Sequence, residues 1–360
     1  MLSAVVVGTG LIGTSVALAL HGKGVAVHLR DTDPAAVRTA ASLGAGMPQA
    51  PVGRVDLAVL AVPPALVGGV LADLQAEGLA RHYTDVASVK AGPQQDVLAL
   101  ACDTAHYLGG HPLAGAERSG PLAARADLFE QCSWVLTPTA DTDTETLNTV
   151  LELVSLCGAV PVVMGATAHD RAVALVSHAP HVVASLVAGQ LDRAADRAVS
   201  LAGPGIRDLT RIAASDPRLW VDILSANAEA VADLLDSLAA DLTDAVAGLR
   251  ALAATDEAKR ADGARTVEGL LVQGNAGRAR IPGKHGSGAV RYETVAVPIS
   301  DRPGELARLF VDAVRAGVNI EDVRLEHSVA QPSGLVHLAV AQSNASELEA
   351  SLRGQGWSVR

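Results

Sequence analysis

Short apolar runs alternate with amphipathic stretches through the first 165 residues. Ala4–Val7, Val25–Leu29, Asp56–Val62 and Tyr83–Val86 read as strands, and helical spacing fills the gaps at Thr14–His21, Pro34–Leu43 and Ala65–Leu79. The run from Asp56 to Val62 is apolar nearly throughout, as a parallel strand covered on both faces should be. Strand His106–Leu108, helix Glu145–Cys157 and strand Ala159–Met164 continue the pattern. Strands alternating with helices predict an α/β, Rossmann-type doubly wound parallel sheet over residues 1–165.

The pattern then changes. Residues 166–273 lack strand signals and predict an all-helical substrate and dimerisation domain. Thr167–Asp170 fits a capping box, and the helix it opens runs through Ala172–Leu191 with Pro180 implying a kink. Pro217 opens a long helix whose apolar positions keep helical spacing to Leu249, a length that suits a two-fold interface and hence a homodimer. Residues 274–290 are rich in Gly and basic residues and read as a linker. Residues 291–360 predict a βαββαβ, ferredoxin-like module. Its strands are expected at Tyr292–Ile299, Gly317–Leu325, Gly334–Ala341 and Trp357–Val359, with helices at Glu305–Ala316 and Ala345–Arg353.

Composition narrows the function classes. A length of 360 residues with 49% hydrophobic content suits two or three globular domains, and 2% aromatic content leaves Ala, Val and Leu to build the cores. A net charge of -11 without a basic stripe argues against nucleic acid but leaves room for an anionic small molecule at a local arginine cluster. Cys102, Cys132 and Cys157 show no metal or disulfide spacing, so no metal site is expected. The N-terminus runs directly into a strand with no secretory pattern, and the apolar stretch Ala172–Leu191 carries two histidines. A cytoplasmic protein without a membrane role is the expectation.

Chemistry concentrates at the strand ends. Gly8-Thr9-Gly10-Leu11-Ile12-Gly13 lies between a strand and a helix, the context a dinucleotide fingerprint requires. The first glycine permits the turn, the second admits a pyrophosphate, and the third lets helix and strand pack. Asp31, eighteen residues past Gly13, stands where an acid takes the ribose diol, which favours NAD although Arg30 is its neighbour. Val62 and Pro63 should border the same cofactor, and Ser88 and Lys90 are expected to face the crevice from the next strand end. Gly109-Gly110-His111-Pro112 then delivers a constrained histidine, a candidate acid or base, followed by Glu117 and Arg118. His169, His178 and His181 gather near the expected kink, and Arg207 and Arg211 share a helix face that could clamp an anion.

The chain resembles the prephenate/arogenate dehydrogenase family in its ACT-domain-bearing branch. The matching stretches are Gly8-x-Gly10-Leu11-Ile12-Gly13, Ser88-Val89-Lys90, His111 to Gly120, His169-Asp170, Ser177-His178-x-Pro180-His181, Arg207-Asp208-x-Thr210-Arg211, and Ser215-Asp216-Pro217 with Trp220. The resemblance implies NAD-dependent oxidative decarboxylation of prephenate on the route to tyrosine, with arogenate as the alternative substrate. It implies that His111 accepts the ring hydroxyl proton, that Ser88 holds that hydroxyl, and that Arg211 binds a carboxylate with Arg207 beside it. His178, His181, Trp220 and Glu117 match pocket residues, Glu117 being a possible gate with Arg211. Asp301-Arg302-Pro303-Gly304 with Asn319-Ile320 resembles an ACT domain that senses an aromatic amino acid. Two rivals are a β-hydroxyacid dehydrogenase, which would place a catalytic lysine in the helical segment, where lysine is nearly absent and Lys259 lies far down the chain, and a non-catalytic NAD and amino-acid sensor.

Overall fold

A computed structural model describes residues 1–115, 118–281, 292–300, 302–327 and 333–359. The chain divides into two compact units, Met1–Leu238 and Ala239–Arg360.

The first unit opens with β1 (Ser3–Val7), α1 (Leu11–Gly22), β2 (Ala26–Arg30), α2 (Pro34–Ser42) and β3 (Val55–Leu60). It continues with α3 (Val67–Ala76), β4 (Ala80–Asp85), α4 (Ala91–Ala99), β5 (Tyr107–Pro112), β6 (Ser133–Thr137), α5 (Thr144–Leu156) and β7 (Val160–Val163). The seven strands form one sheet in the order β2-β1-β3-β4-β5-β6-β7. Residues alternate across it because side chains on a strand point to opposite faces. Val6, Leu57 and Val59 pack with Leu20 and Leu153 on one face, and Val5, Val7 and Leu60 pack with Leu71 and Leu74 on the other.

Two expectations about this sheet are corrected. It is not wholly parallel, since β5 and β6 pair antiparallel. Between them the described residues hold only a short 3-10 turn at Pro121–Ala123, and without a crossover helix the return strand runs backward. The strand expected at His106–Leu108 also does not stop at Leu108. Its ladder with β6 continues through His111↔Val135 and Pro112↔Trp134, so His111 is a strand residue held by the sheet.

Beyond β7 the unit is helical: α6 (Ala166–Val173), α7 (Ala179–Asp192), α8 (Asp196–Val199), α9 (Pro204–Thr210), α10 (Pro217–Ala226) and the start of α11 (Ala228–Leu252). The expected capping box fails, because α6 is capped by Gly165 without a side-chain bond. The expected kink is a π-turn at Ala174–His178, and Pro180 lies in the first turn of α7 directly after it. The stretch Ala166–Asp192 is long and apolar enough to cross a membrane, but its buried residues include His169, Asp170, His178 and His181. The long helix from Pro217 is two helices. Asn227 breaks it at φ -132°, with its side chain drawn off to Asp170 and His178.

The second unit holds the rest of α11, α12 (Glu257–Ala279), β8 (Tyr292–Ser300), α13 (Glu305–Arg315), β9 (Ile320–His327), β10 (Ser333–Ala341) and α14 (Gln342–Gly354). Helix α12 runs into the stretch read as a linker, so 274–279 are helical, and 282–291 lie outside the described residues. The three strands form an antiparallel sheet in the order β8-β10-β9, packed through Val295, Val297, Val336 and Leu338 on Leu309 and Leu348. The fourth strand expected at Trp357–Val359 does not form. The backbone N–H groups of Gln355, Gly356 and Trp357 turn back to the carbonyls of α14. The Trp357 indole donates to Asp312 Oδ2 at 3.0 Å beneath the Arg308 guanidinium.

Candidate active site

The fingerprint loop has the shape its sequence predicts. Gly8 sits at φ +99°, and a Cβ there would lie 2.2 Å from the Ala61 carbonyl oxygen. At Gly13 a Cβ would lie 1.9 Å from the Gly8 oxygen, so helix and strand can approach only with glycine in both places. Gly10 faces open space and caps α1 without a side-chain bond, which leaves the helix N-terminus to an anion. Leu11 and Ile12 are partly buried in its first turn.

Asp31, just past β2, accepts from Thr9 N at 2.6 Å, Thr9 Oγ1 at 2.9 Å and Asp33 N at 2.9 Å. Burial pushes its pKa up, but these hydrogen bonds outweigh it and hold the carboxylate below its ordinary range. Arg30 is turned aside: its guanidinium meets Glu77 with bonds of 2.6 and 2.9 Å. Asp31, Arg30 and Glu77 line a cleft of about 510 Å³ with His28, Arg38 and Gln49. Val62 is half-buried and Pro63 exposed just beyond β3. The open cradle, the committed acid and the cleft beside it fit a dinucleotide.

His111 stands half-buried near the end of β5. Gly110 precedes it because a Cβ there would come within 2.9 Å of both the Asp85 carbonyl oxygen and Trp134 Nε1. Beneath lies a buried polar group. Lys90, expected to face the crevice, points into the sheet, where its ammonium pairs with Asp85 and donates to the Gly110 carbonyl at 2.6 Å. Tyr107 donates to the other Asp85 oxygen at 2.6 Å. Burial lowers the Lys90 pKa while Asp85 resists it, and burial next to Asp85 raises Tyr107 well above its usual value. An acid ending one strand and a lysine five residues on was the available signal for this pair.

His111 Nδ1 lies 2.8 Å from His169 Nε2, and His169 Nδ1 lies 2.7 Å from Asp170 Oδ1. Instead of closing its own helix, Asp170 caps α4, accepting from Lys90 N at 2.8 Å and Ala91 N at 2.9 Å. Asn227 Nδ2 donates to the Asp170 backbone oxygen at 2.8 Å and reaches His178 Nδ1 at 3.1 Å. A backbone carbonyl only accepts, so Asn227 must turn its amino group this way, and His178 Nδ1 is then the acceptor. Burial lowers the His178 pKa, partly opposed by Asp170, in keeping with a neutral ring. Burial, then the Lys90 ammonium and the neighbouring imidazoles, push His111 well below the ordinary histidine value.

His181 stacks on Trp220 with ring centroids 3.5 Å apart, and His178 meets the same indole edge-on at 6.3 Å. Ser88 is half-buried in the turn between β4 and α4 and makes no hydrogen bond among the described residues. Arg207 on α9 and Arg211 just after it are exposed, on segments packed against the His181-bearing α7. Among the described residues no hydrogen bond or ion pair ties either arginine to His111. Glu117 lies outside the described residues.

The fingerprint, the strand-end histidine and the helical partner segment together define a dinucleotide-dependent dehydrogenase of Rossmann type. The family model "Prephenate dehydrogenase, nucleotide-binding domain" matches residues 16–163, and "Prephenate dehydrogenase, dimerization domain" matches residues 165–259. Probable prephenate dehydrogenase NovF of Streptomyces niveus is 42% identical over 99% of both chains. The chain belongs to the prephenate dehydrogenase family. Among solved structures, prephenate dehydrogenase from A. aeolicus in complex with hydroxyphenyl propionate and NAD+ matches with a TM-score of 0.65 and 27% identity, covering 78% of this chain and 99% of that one. Synechocystis arogenate dehydrogenase matches at 0.62 and 25% identity, over 77% and 99%.

Proposed function

We propose that this chain is an NAD-dependent prephenate dehydrogenase, converting prephenate to 4-hydroxyphenylpyruvate and CO2 on the route to tyrosine. The observation that carries the reading is the orientation of His111. Its Nδ1 is engaged by His169, which leaves Nε2 as the ring nitrogen free to accept a proton. NAD held by the 8–13 loop and Asp31 would supply the hydride acceptor for the ring carbon that bears the hydroxyl. His111 Nε2 takes the proton from that hydroxyl, and a depressed pKa keeps the imidazole neutral and competent at neutral pH. Ser88 holds the hydroxyl. Arg211, with Arg207 beside it, holds a carboxylate, and the Trp220–His181 stack with His178 walls the ring. Asp31 with Thr9 and the 8–13 loop hold the cofactor, bordered by Val62 and Pro63.

Arogenate differs from prephenate in the side chain and not at the reacting carbon, so one assay separates the two readings. Reduced-cofactor release should be fastest with prephenate and NAD among the four pairings of prephenate or arogenate with NAD or NADP. Faster turnover of arogenate would reassign the substrate, and no turnover of either would leave a sensor.

The chain is also assigned a homodimer built on its helical segment. Support comes from the exposed apolar Leu242, Val246 and Leu249 on α11 and from the family model's description of that region. A strict monomer by sedimentation at micromolar concentration would remove this assignment. The C-terminal module is read as an ACT-type sensor of an aromatic amino acid, with a site near Arg302, Pro303, Gly304, Asn319 and Ile320. Asp301 lies outside the described residues. Calorimetry on the full chain should detect binding of tyrosine or phenylalanine, and none would leave the module structural.

A further inference from the structure

The order of protons along His111, His169 and Asp170 follows from chemistry. Asp170 accepts from His169, Ala91 and Lys90. Burial raises its pKa, yet these bonds hold it below the ordinary carboxylate range, so it is ionised and can only accept. The proton in the 2.7 Å contact therefore sits on His169 Nδ1. A neutral His169 then offers a lone pair at Nε2, and the proton in the 2.8 Å contact belongs to His111 Nδ1. His111 is thereby fixed in the tautomer whose Nε2 can accept.

A lone His111 would be a poor place to leave the proton it takes. Lys90, paired with Asp85 and bound to the Gly110 carbonyl, stands on its sheet side. His178 from the π-turn, bound to Asn227, brings no negative charge to it. The groups facing the pair are thus Lys90 with Asp85 from β4 and α4, Asp170 from α6, and His178, with neutral Asn227 bridging the last two. Of these, only Asp170 offers negative charge in direct contact, and it does so to His169.

Resting on the reading of His111 as base, we propose that His169 and Asp170 complete that base as a buried proton relay. As the substrate O–H bond breaks and His111 Nε2–H forms, the Nδ1–H of His111 breaks and His169 Nε2–H forms. The relay gains one proton and no electrons, and the positive charge comes to rest beside the Asp170 carboxylate, which stays ionised. The proton leaves by the reverse route once product has gone. His169 and Asp170 touch no reacting atom and act as positioning residues through His111.

The test is the pH profile of kcat for the full-length enzyme with prephenate and NAD. His169→Gln can still accept from His111 Nδ1 but can neither carry the proton nor reach a charge on Asp170. It should lower kcat about 10²-fold and move the acid-limb midpoint down by about one pH unit. NADH affinity by fluorescence and the KM for prephenate should stay within about twofold. Asp170→Asn should shift the midpoint in the same direction and also lower Tm, since it weakens the cap on α4. A merely structural role would change Tm and leave the midpoint in place. If His169→Gln keeps both kcat and midpoint while His111→Asn loses turnover, the relay is overturned and the base reading survives. If His111→Asn keeps turnover, the base reading itself fails.

Discussion

Arg30 and Glu77 face each other in a two-point ion pair, 2.6 and 2.9 Å long, at the rim of the cleft that Asp31 also lines. An arginine beside the ribose acid is a residue type that could receive a 2′-phosphate. Here its donors are taken. Glu77→Gln should release Arg30 and raise NADPH affinity about tenfold, with NADH affinity little changed. Fluorescence titration of both reduced cofactors measures this directly, and an unmoved NADPH affinity would leave Asp31 as the determinant.

Replacing His111 by Asn removes the base and keeps a polar, uncharged side chain at the position. Turnover should fall by about 10²–10⁴-fold with the NADH dissociation constant unchanged. Calorimetry alongside a turnover assay separates the two effects.

Proton linkage makes stability depend on pH in a definite direction. His111, His178 and His181 have folded pKa values below the ordinary 6.5. As pH falls from neutrality through that value, the unfolded chain binds protons that the folded chain refuses, so stability is lost toward acid. Tm should therefore fall between pH 7 and pH 5, and less so in His178→Asn. A Tm that rises toward pH 5 would contradict the buried neutral imidazoles.

Arg211→Ala should act on binding. A lost charge-assisted contact to a substrate carboxylate is worth about 10–100-fold in KM, with kcat nearly unchanged. An unchanged KM would move the carboxylate site elsewhere.

Gly110→Ala places a methyl group 2.9 Å from the Asp85 carbonyl and from the Trp134 indole nitrogen. Overpacking of this kind costs about 1–3 kcal/mol, and the displaced strand carries His111. Urea unfolding should show the loss, and kcat should fall with it.

What the sequence discloses here is mostly local. The 8–13 loop, Asp31 and the strand before Ser88 are read from neighbours within about 20 residues, the range over which a βαβ unit declares itself. Distant partners are not legible in that way. His169 and Asp170 look like part of a capping box for their own helix, whereas Asp170 caps a helix about 80 positions earlier in the chain. Lys90 sits at a strand end where ligands bind, yet Asp85 draws it inside. Asn227 lies within an unbroken apolar period, and only its bonds to Asp170 and His178 explain why the helix ends there. Trp357 follows a strand-like pattern, but Asp312 claims its indole.

The π-turn at Ala174–His178 is a phase shifter. In an unbroken α-helix the eight steps from Asp170 to His178 would set the two residues about 80° apart. The extra residue of a π-turn subtracts about 100° and returns them to one side, where a single Asn227 amide serves both. The count of residues in this turn therefore matters more than their identity. Leu175 and Val176 are exposed within it. Deleting either one would leave a sound helix with its His178–His181 face rotated away from Asn227 and Trp220.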